Sequence, residues 1–275
     1  MNKTDTGKIQ MVVFDWAGTT VDYASSAPSV VFDRVFSEAG IHLTKEEINR
    51  PMGMEKRAHI RQLLSCESGS SQWMQVYGRP WSEEDVDRLY EKFEKTLYRV
   101  VADYSEPIPG VVETVEKLRE QGLKIGSTTG YTSKMMEQVI PRAAQLGYQA
   151  DCVVTPDVTG AGRPTPFMLL ECMRQMNCYP PRTVVKVGDT VVDIAEGKNA
   201  GAWSIGILAG SNLLGLSREE YEKMGSEELE KRKSETAEIY RQAGADIVIE
   251  SIYDLPAAVR ELNHRLEMLE KEEIA

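Results

Sequence analysis

Cysteine and histidine are scarce, at four and three of 275 residues. Cys66, Cys152, Cys172 and Cys178 form no C-x-x-C pair, and His42, His59 and His264 stand apart from them. That excludes the spacing of a zinc site and of a disulfide framework. A long chain with few scattered cysteines fits a reducing compartment. Positive charge is also short: 32 Lys+Arg against 43 Asp+Glu give a net charge of −11. Nucleic acid and anionic membranes want the opposite sign, so neither partner is expected. Long apolar runs are missing too. The longest early one, residues 11–14, makes neither a signal peptide nor a transmembrane span, and the cytoplasm is the expected location. A small anionic substrate stays compatible with the charge, because a local site can be positive on an acidic protein.

What is present is ordinary for a globular chain, 41% apolar and 27% charged. The length allows one large domain or two unequal ones. Short β-branched runs at 9–14, 123–128, 152–155, 183–187, 204–208 and 246–249 read as buried strands. Helical patterns lie between them at 111–120, 133–146, 167–176 and 191–200. Alternation of this kind predicts an α/β fold, a Rossmann-like doubly wound parallel sheet, with its ligand site beyond the carboxyl ends of the strands. One stretch breaks the alternation. From 23 to 105 there are helix signals, at 28–39, 54–64 and 83–102, and no convincing strand. The last opens on Ser82-Glu83-Glu84-Asp85, an N-cap followed by first-turn carboxylates. The expected organisation is a core of 1–22 and 106–275 with an inserted helical cap domain, 23–105, hinged at 106–110. Residues 217–241 are charge-dense and read as a solvated helical face.

Four short pieces fall at strand ends: Asp15-Trp16-Ala17-Gly18-Thr19-Thr20, Gly126-Ser127-Thr128-Thr129-Gly130, Gly162-Arg163-Pro164 and Gly188-Asp189-Thr190-Val191-Val192-Asp193. In a parallel sheet all four converge on one edge. Asp15 and Asp189 would share a cleft, where two carboxylates repel unless a cation lies between them, and oxygen-only ligation points to Mg²⁺. Asp193, one turn beyond Asp189, would support them from behind. Thr129 and Arg163 add donors for phosphoryl oxygens. A carboxylate beside a cation and a phosphoryl group is a candidate nucleophile. Each aspartate could instead simply cap a turn or helix; Trp16 reads as packing, and Gly18 and Gly130 as turn glycines that also wall the site.

This ordered set resembles the haloacid dehalogenase superfamily of aspartate-nucleophile phosphotransferases, across most of the chain. One position departs from the usual phosphatase pattern. Where most members carry a second aspartate that protonates the leaving oxygen, this chain has Ala17. General acid catalysis is worth about 10²–10⁴-fold, so Ala17 argues against ester cleavage, or for a dead site. The insert offers a different chemistry. In Arg50-Pro51-Met52-Gly53-Met54-Glu55-Lys56-Arg57-Ala58-His59, Lys56 and His59 share a helix face. A lysine in a closed cleft can lose its proton and attack a carbonyl to form a Schiff base. Met52 and Met54 would wall it and Arg57 would add charge. With Asp15-Trp16-Ala17-Gly18-Thr19-Thr20-Val21-Asp22-Tyr23 and Gly126-Ser127-Thr128-Thr129-Gly130-Tyr131, these residues look like the phosphonoacetaldehyde hydrolase family. The resemblance implies carbon–phosphorus bond hydrolysis by Asp15 as nucleophile and Lys56 as imine former, with Mg²⁺ held by Asp15, Asp189 and the Ala17 carbonyl. It implies proton transfer by His59, phosphoryl or substrate contacts from Thr129, Gly130, Arg163, Met52 and Tyr131, support from Asp193 and Thr190, and a homodimer through the cap. A departure lies at Ser25-Ser26, to which no role is assigned. The alternatives are an ordinary phosphatase or phosphomutase, and a binding protein on a decayed scaffold.

Overall fold

The computed structural model describes residues 7–274, with side chains to residue 271. Its centre is one parallel six-stranded sheet built from β1 (Met11–Phe14), β2 (Lys124–Thr128), β3 (Cys152–Val154), β4 (Val184–Gly188), β5 (Trp203–Ile207) and β6 (Ile247–Ile249), in the order β3-β2-β1-β4-β5-β6. The order reverses direction at β1, the switch point where such sheets open a crevice. Register sets what emerges there. Phe14 lies opposite Ser127 of β2 and Val187 of β4, so Asp15, Thr128 and Gly188-Asp189 leave the sheet at the same edge.

Among the described residues, thirteen α-helices follow in chain order. Between β1 and β2 come α1 (Ser26–Ser37), α2 (Lys45–Asn49), α3 (Lys56–Ser65), α4 (Glu67–Tyr77), α5 (Glu83–Val100) and α6 (Val111–Glu120). The others are α7 (Ser133–Gln145), α8 (Pro156–Thr159), α9 (Phe167–Met176), α10 (Val191–Ala200), α11 (Arg218–Lys223), α12 (Ser226–Gln242) and α13 (Leu255–Ile274). The limits of α6, α9 and α10 are those the sequence pattern predicts. The first strand starts two residues late because the Ile9 amide donates to the Asn263 side chain at 2.7 Å instead of entering the ladder.

Residues 23–104 hold helices and no strand, as expected. Helix α4 was not expected, since its Glu-Ser-Gly-Ser-Ser start is poor in helix formers. It forms because Trp73 is wholly buried and the Cys66 thiol accepts from the Gly69 amide at 3.3 Å. The apolar face of α1 is spent within this helical layer. Val31, Phe32, Val35 and Phe36 are buried, with Phe32 stacked on Phe93 at 4.2 Å. The apolar face of the 28–39 pattern, compatible in sequence with a cap-mediated dimer, is therefore turned inward. The charged stretch 217–241 is two helices broken at Met224-Gly225, and it is not solvated throughout. Tyr240 is fully buried and its hydroxyl donates to the carbonyls of Asp189 (2.7 Å) and Ile207 (2.9 Å). Among the described residues no helix is long and apolar enough to cross a membrane.

Candidate active site

The turn after β1 is shaped around Asp189. Gly18 has φ +85°, and a Cβ there would lie 2.1 Å from Asp189 Oδ2, so only glycine lets this loop close on the carboxylate. Asp189 accepts from the Thr19 hydroxyl at 3.2 Å and the Asn212 amide at 2.8 Å. Carboxylate oxygens of Asp15, Asp189 and Asp193 all lie within 4.8 Å of one another, and all three residues are buried. Burial, then the charges of Asp15 and Asp193, push the Asp189 carboxyl well above its usual range. Burial works the same way on Asp193, but Arg163 and Lys186 outweigh it and hold that carboxyl low. Packed like charges made of hard oxygen donors fit a divalent cation. Asp15 lines the cleft and Asp189 is fully buried next to it; Asp193 is paired from behind by Arg163 and Lys186, both at 3.0 Å. Thr190 N-caps α10 in a capping box with Asp193. The Ala17 carbonyl accepts from the Ser25 hydroxyl at 2.8 Å.

Arg163 approaches from the opposite wall. Its Nη2 donates to Asp15 Oδ1 at 2.7 Å and to the Thr128 carbonyl at 2.6 Å. Thr129 lines the same cleft, its hydroxyl accepting from the Tyr131 amide at 3.1 Å. Gly130 meets the helical layer: a Cβ there would lie 2.8 Å from the Met54 carbonyl. The loop after β2 and the loop before α3 are in van der Waals contact.

Lys56 is the first residue of α3, whose N-terminus is capped by Glu55 accepting from the amides of Arg57 and Ala58. The lysine is 3% exposed. Its Nζ lies 3.9 Å from Met52 Sδ, 5.4 Å from the centre of the Tyr131 ring and 6.0 Å from that of Phe32. Among the described residues no carboxylate comes within ion-pair distance of it. Burial, helped by Arg163 and opposed by Asp15, brings its pKa down to about 8. At pH 7 about a tenth of the amine is then neutral, roughly 300-fold more than for an ordinary lysine. The expected kcat/KM profile therefore climbs as pH rises and levels above about 8. A profile flat from pH 6.5 to 9 excludes a free-amine role for Lys56.

His59 sits one turn further along α3, fully buried, tilted against Phe32 at 4.0 Å. Its Nε2 donates to the Ile48 carbonyl at 2.8 Å, which leaves Nδ1 as a buried acceptor without a hydrogen-bond partner. Burial and the neighbouring Lys56 hold it neutral. It stands behind the cleft and is not one of the lining residues. Met52 and Tyr131 do line the cleft. Arg57 does not add charge there; it pairs outward with Glu83 at 2.8 Å and Asp87 at 2.6 Å. Trp16 packs edge-on against Tyr148. The cleft that Asp15, Lys56, Thr129 and Arg163 line encloses about 20 Å³, room for a single water, so a phosphonate does not fit it as it stands.

Sequence reasoning named Ser25 and Thr128 without giving them a role, and it missed Lys186 and Glu196. A signal existed for one of them. Lys186 interrupts the apolar strand Val184-Val185-Lys186-Val187, and a charge there must be paired.

Residues 9–201 match the haloacid dehalogenase-like hydrolase family. The chain is 48% identical over 259 residues to a phosphonoacetaldehyde hydrolase of Parabacteroides distasonis, covering 94% of this chain and 98% of that one. To the phosphonoacetaldehyde hydrolase of Bacillus cytotoxicus it is 44% identical over 266 residues, covering 97% and 98%. Among solved structures, a phosphonoacetaldehyde hydrolase-like protein from Oleispira antarctica superposes with a TM-score of 0.93 at 35% identity, over 98% of this chain and 97% of that one.

Proposed function

The chain belongs to the phosphonoacetaldehyde hydrolase family of haloacid dehalogenase-like hydrolases, and from that premise we propose that it cleaves phosphonoacetaldehyde to acetaldehyde and phosphate through a Lys56 imine and an Asp15 aspartyl phosphate. The observation that carries this reading is the pairing of Ala17 with Lys56. The position two residues after Asp15 offers no acid for a leaving oxygen. Across the same closed cleft, with Asp15 and Arg163, stands a buried amine with no carboxylate partner.

A carbon–phosphorus bond resists cleavage because its electron pair must leave on carbon. The neutral Lys56 amine adds to the aldehyde, water leaves, and a protonated imine results. An Asp15 oxygen then attacks phosphorus in line. The phosphorus–carbon electrons pass into the imine and give an enamine on Lys56, while the phosphoryl group passes to Asp15. Arg163 Nη2 and the Thr129 hydroxyl hold the equatorial oxygens, with Gly130, Met52 and Tyr131 closing the walls. Water then frees phosphate from Asp15; the enamine is protonated on carbon, and hydrolysis of the imine releases acetaldehyde and the free amine. His59 is neutral behind Lys56, and its unpartnered Nδ1 is the acceptor through which we assign it the proton transfers around the imine. A divalent cation, which we take as Mg²⁺, would be held by Asp15, Asp189 and the Ala17 carbonyl and neutralises phosphoryl charge when bound. Asp193 and Thr190 support that ligand set.

Segment 23–105 acts as the cap in this proposal, moving about Tyr23 and 106–110 to admit substrate, with the core formed by 1–22 and 106–275. Residues 1–6 and 275 of that core lie outside the described residues. We also propose a cytoplasmic location and a homodimer, the latter tested by light scattering on the purified protein. Chelation is expected to abolish phosphate release and added Mg²⁺ to restore it, with the Mg²⁺-bound form melting at a higher temperature. A p-nitrophenyl phosphate assay separates this reading from an ester phosphatase. With Ala17 in place, its kcat/KM is expected at least about 10²-fold below that for phosphonoacetaldehyde. Comparable values would favour the phosphatase.

A further inference from the structure

We propose that Lys186 and Glu196 are positioning residues that set the charge and the aim of Arg163, with Lys186 releasing the guanidinium to grip phosphoryl oxygen. The inference rests on the reading of Arg163 given above and extends it to two residues outside the cleft.

Arg163 is crowded by acid. Asp15 lies 2.7 Å from it, Asp193 3.0 Å and Glu196 3.0 Å. One cation among three buried carboxylates has little attraction left for a further anion. Lys186 changes the sum. Its Nζ lies 3.0 Å from the same Asp193 Oδ1 and 3.3 Å from the same Glu196 Oε2 that Arg163 touches. Two cations and two anions then close a neutral ring, all of it buried. Asp15 and Asp189 are left as the uncompensated pair, and their charge matches one divalent cation.

The same ring fixes direction. Arg163 Nε donates to Glu196 and Nη2 to the Thr128 carbonyl, which turns Nη2 toward Asp15, while Nη1 lies 3.0 Å from Asp193 Oδ1 as an ion pair without a hydrogen bond. Thr128 locks the arrangement with a fully used hydroxyl. It donates to Glu196 Oε2 at 2.8 Å and accepts from Lys186 at 2.9 Å and from Arg163 Nη2 at 3.0 Å. The anchors stand on rigid elements: Lys186 on β4, and Asp193 and Glu196 three apart on one face of α10. Such support behind a binding group is what holds it within the tolerance of the chemistry.

The test is calorimetric titration of inorganic phosphate into the Mg²⁺-supplied protein, so that binding is read apart from turnover. Lys186→Met leaves the ring with one excess negative charge and is expected to weaken phosphate binding by at least about tenfold. Glu196→Gln leaves an excess positive charge and is expected to bind phosphate no more weakly than the parent. The double variant K186M/E196Q restores neutrality and is expected within about threefold of the parent. Mere packing predicts a double variant no better than K186M. In turnover, K186M is expected to raise KM more than it lowers kcat, the mark of lost binding shared by ground and transition states. Parent-like phosphate binding by folded K186M, or no recovery in the double variant, overturns the proposal. If K186M does not fold, the double variant alone decides, and binding more than threefold weaker than the parent overturns it. Failure of the underlying reading looks different: Arg163→Met would then bind phosphate as tightly as the parent.

Discussion

Replacing Lys56 by arginine is expected to lower phosphate release from phosphonoacetaldehyde by at least about 10³-fold, roughly 4 kcal/mol of transition-state stabilisation. Arginine keeps a positive charge opposite Asp15 and a long stem for the same apolar wall of Met52, Phe32 and Tyr131. What it cannot do is become a neutral amine at any working pH. The loss therefore measures imine chemistry, separated from the electrostatic attraction that a cation offers to a phosphonate. Borohydride with phosphonoacetaldehyde should reduce the imine to a stable amine on Lys56 in the parent, located by peptide mass, and leave K56R unmodified. Trapping at another lysine, or K56R turnover within tenfold of the parent, removes the imine from the mechanism.

Asp15→Asn is expected to be as damaging, with phosphate release down by about 10⁴-fold or more. The amide is nearly the same size and its oxygen can still accept from Arg163 Nη2, so the cleft keeps its shape. The variant loses the anionic oxygen proposed to attack phosphorus. Because the proposal gives Lys56 the other half of the reaction, borohydride is expected still to trap substrate on it in D15N. That outcome assigns the two steps to two residues. In chelator the variant is expected to melt no lower than the parent, since Asp15 is one of the charges that push Asp189 upward and Arg163 keeps Asp193 and Glu196 as partners. Appreciable phosphate release by D15N would place the nucleophile elsewhere.

Much of the fold was legible because its signals are local. The strands are short apolar runs, and the ends of α6, α9 and α10 coincide with capping and turn residues that act within one helical turn. Helix α4 escaped because its own residues favour a loop and it is the burial of Trp73 that makes it helical. The stretch 217–241 misled for the same reason. Its composition is that of a surface, yet Lys233, Thr236, Ala237 and Tyr240 in it are buried, and the Tyr240 hydroxyl holds the Asp189 carbonyl. Arg57 reads as a site charge only while the partners that turn it outward, Glu83 and Asp87, are out of view.

The amino-acid sequence by itself determined a parallel sheet, a helical insertion, the strand-end aspartates and arginine, the alanine where an acid is usual, and the lysine that complements it. Residue type and spacing suffice for these, because backbone periodicity and side-chain chemistry are properties of short segments. Tertiary structure alone decided that Lys56 is buried beside Tyr131 and Met52 with no carboxylate partner, that His59 lies behind the cleft, and that Lys186, Glu196 and Thr128 surround Arg163. Those facts are made by elements far apart in the chain. Desolvation and charge pairing, which set protonation and aim, depend on what surrounds a group in space and not on its neighbours in sequence.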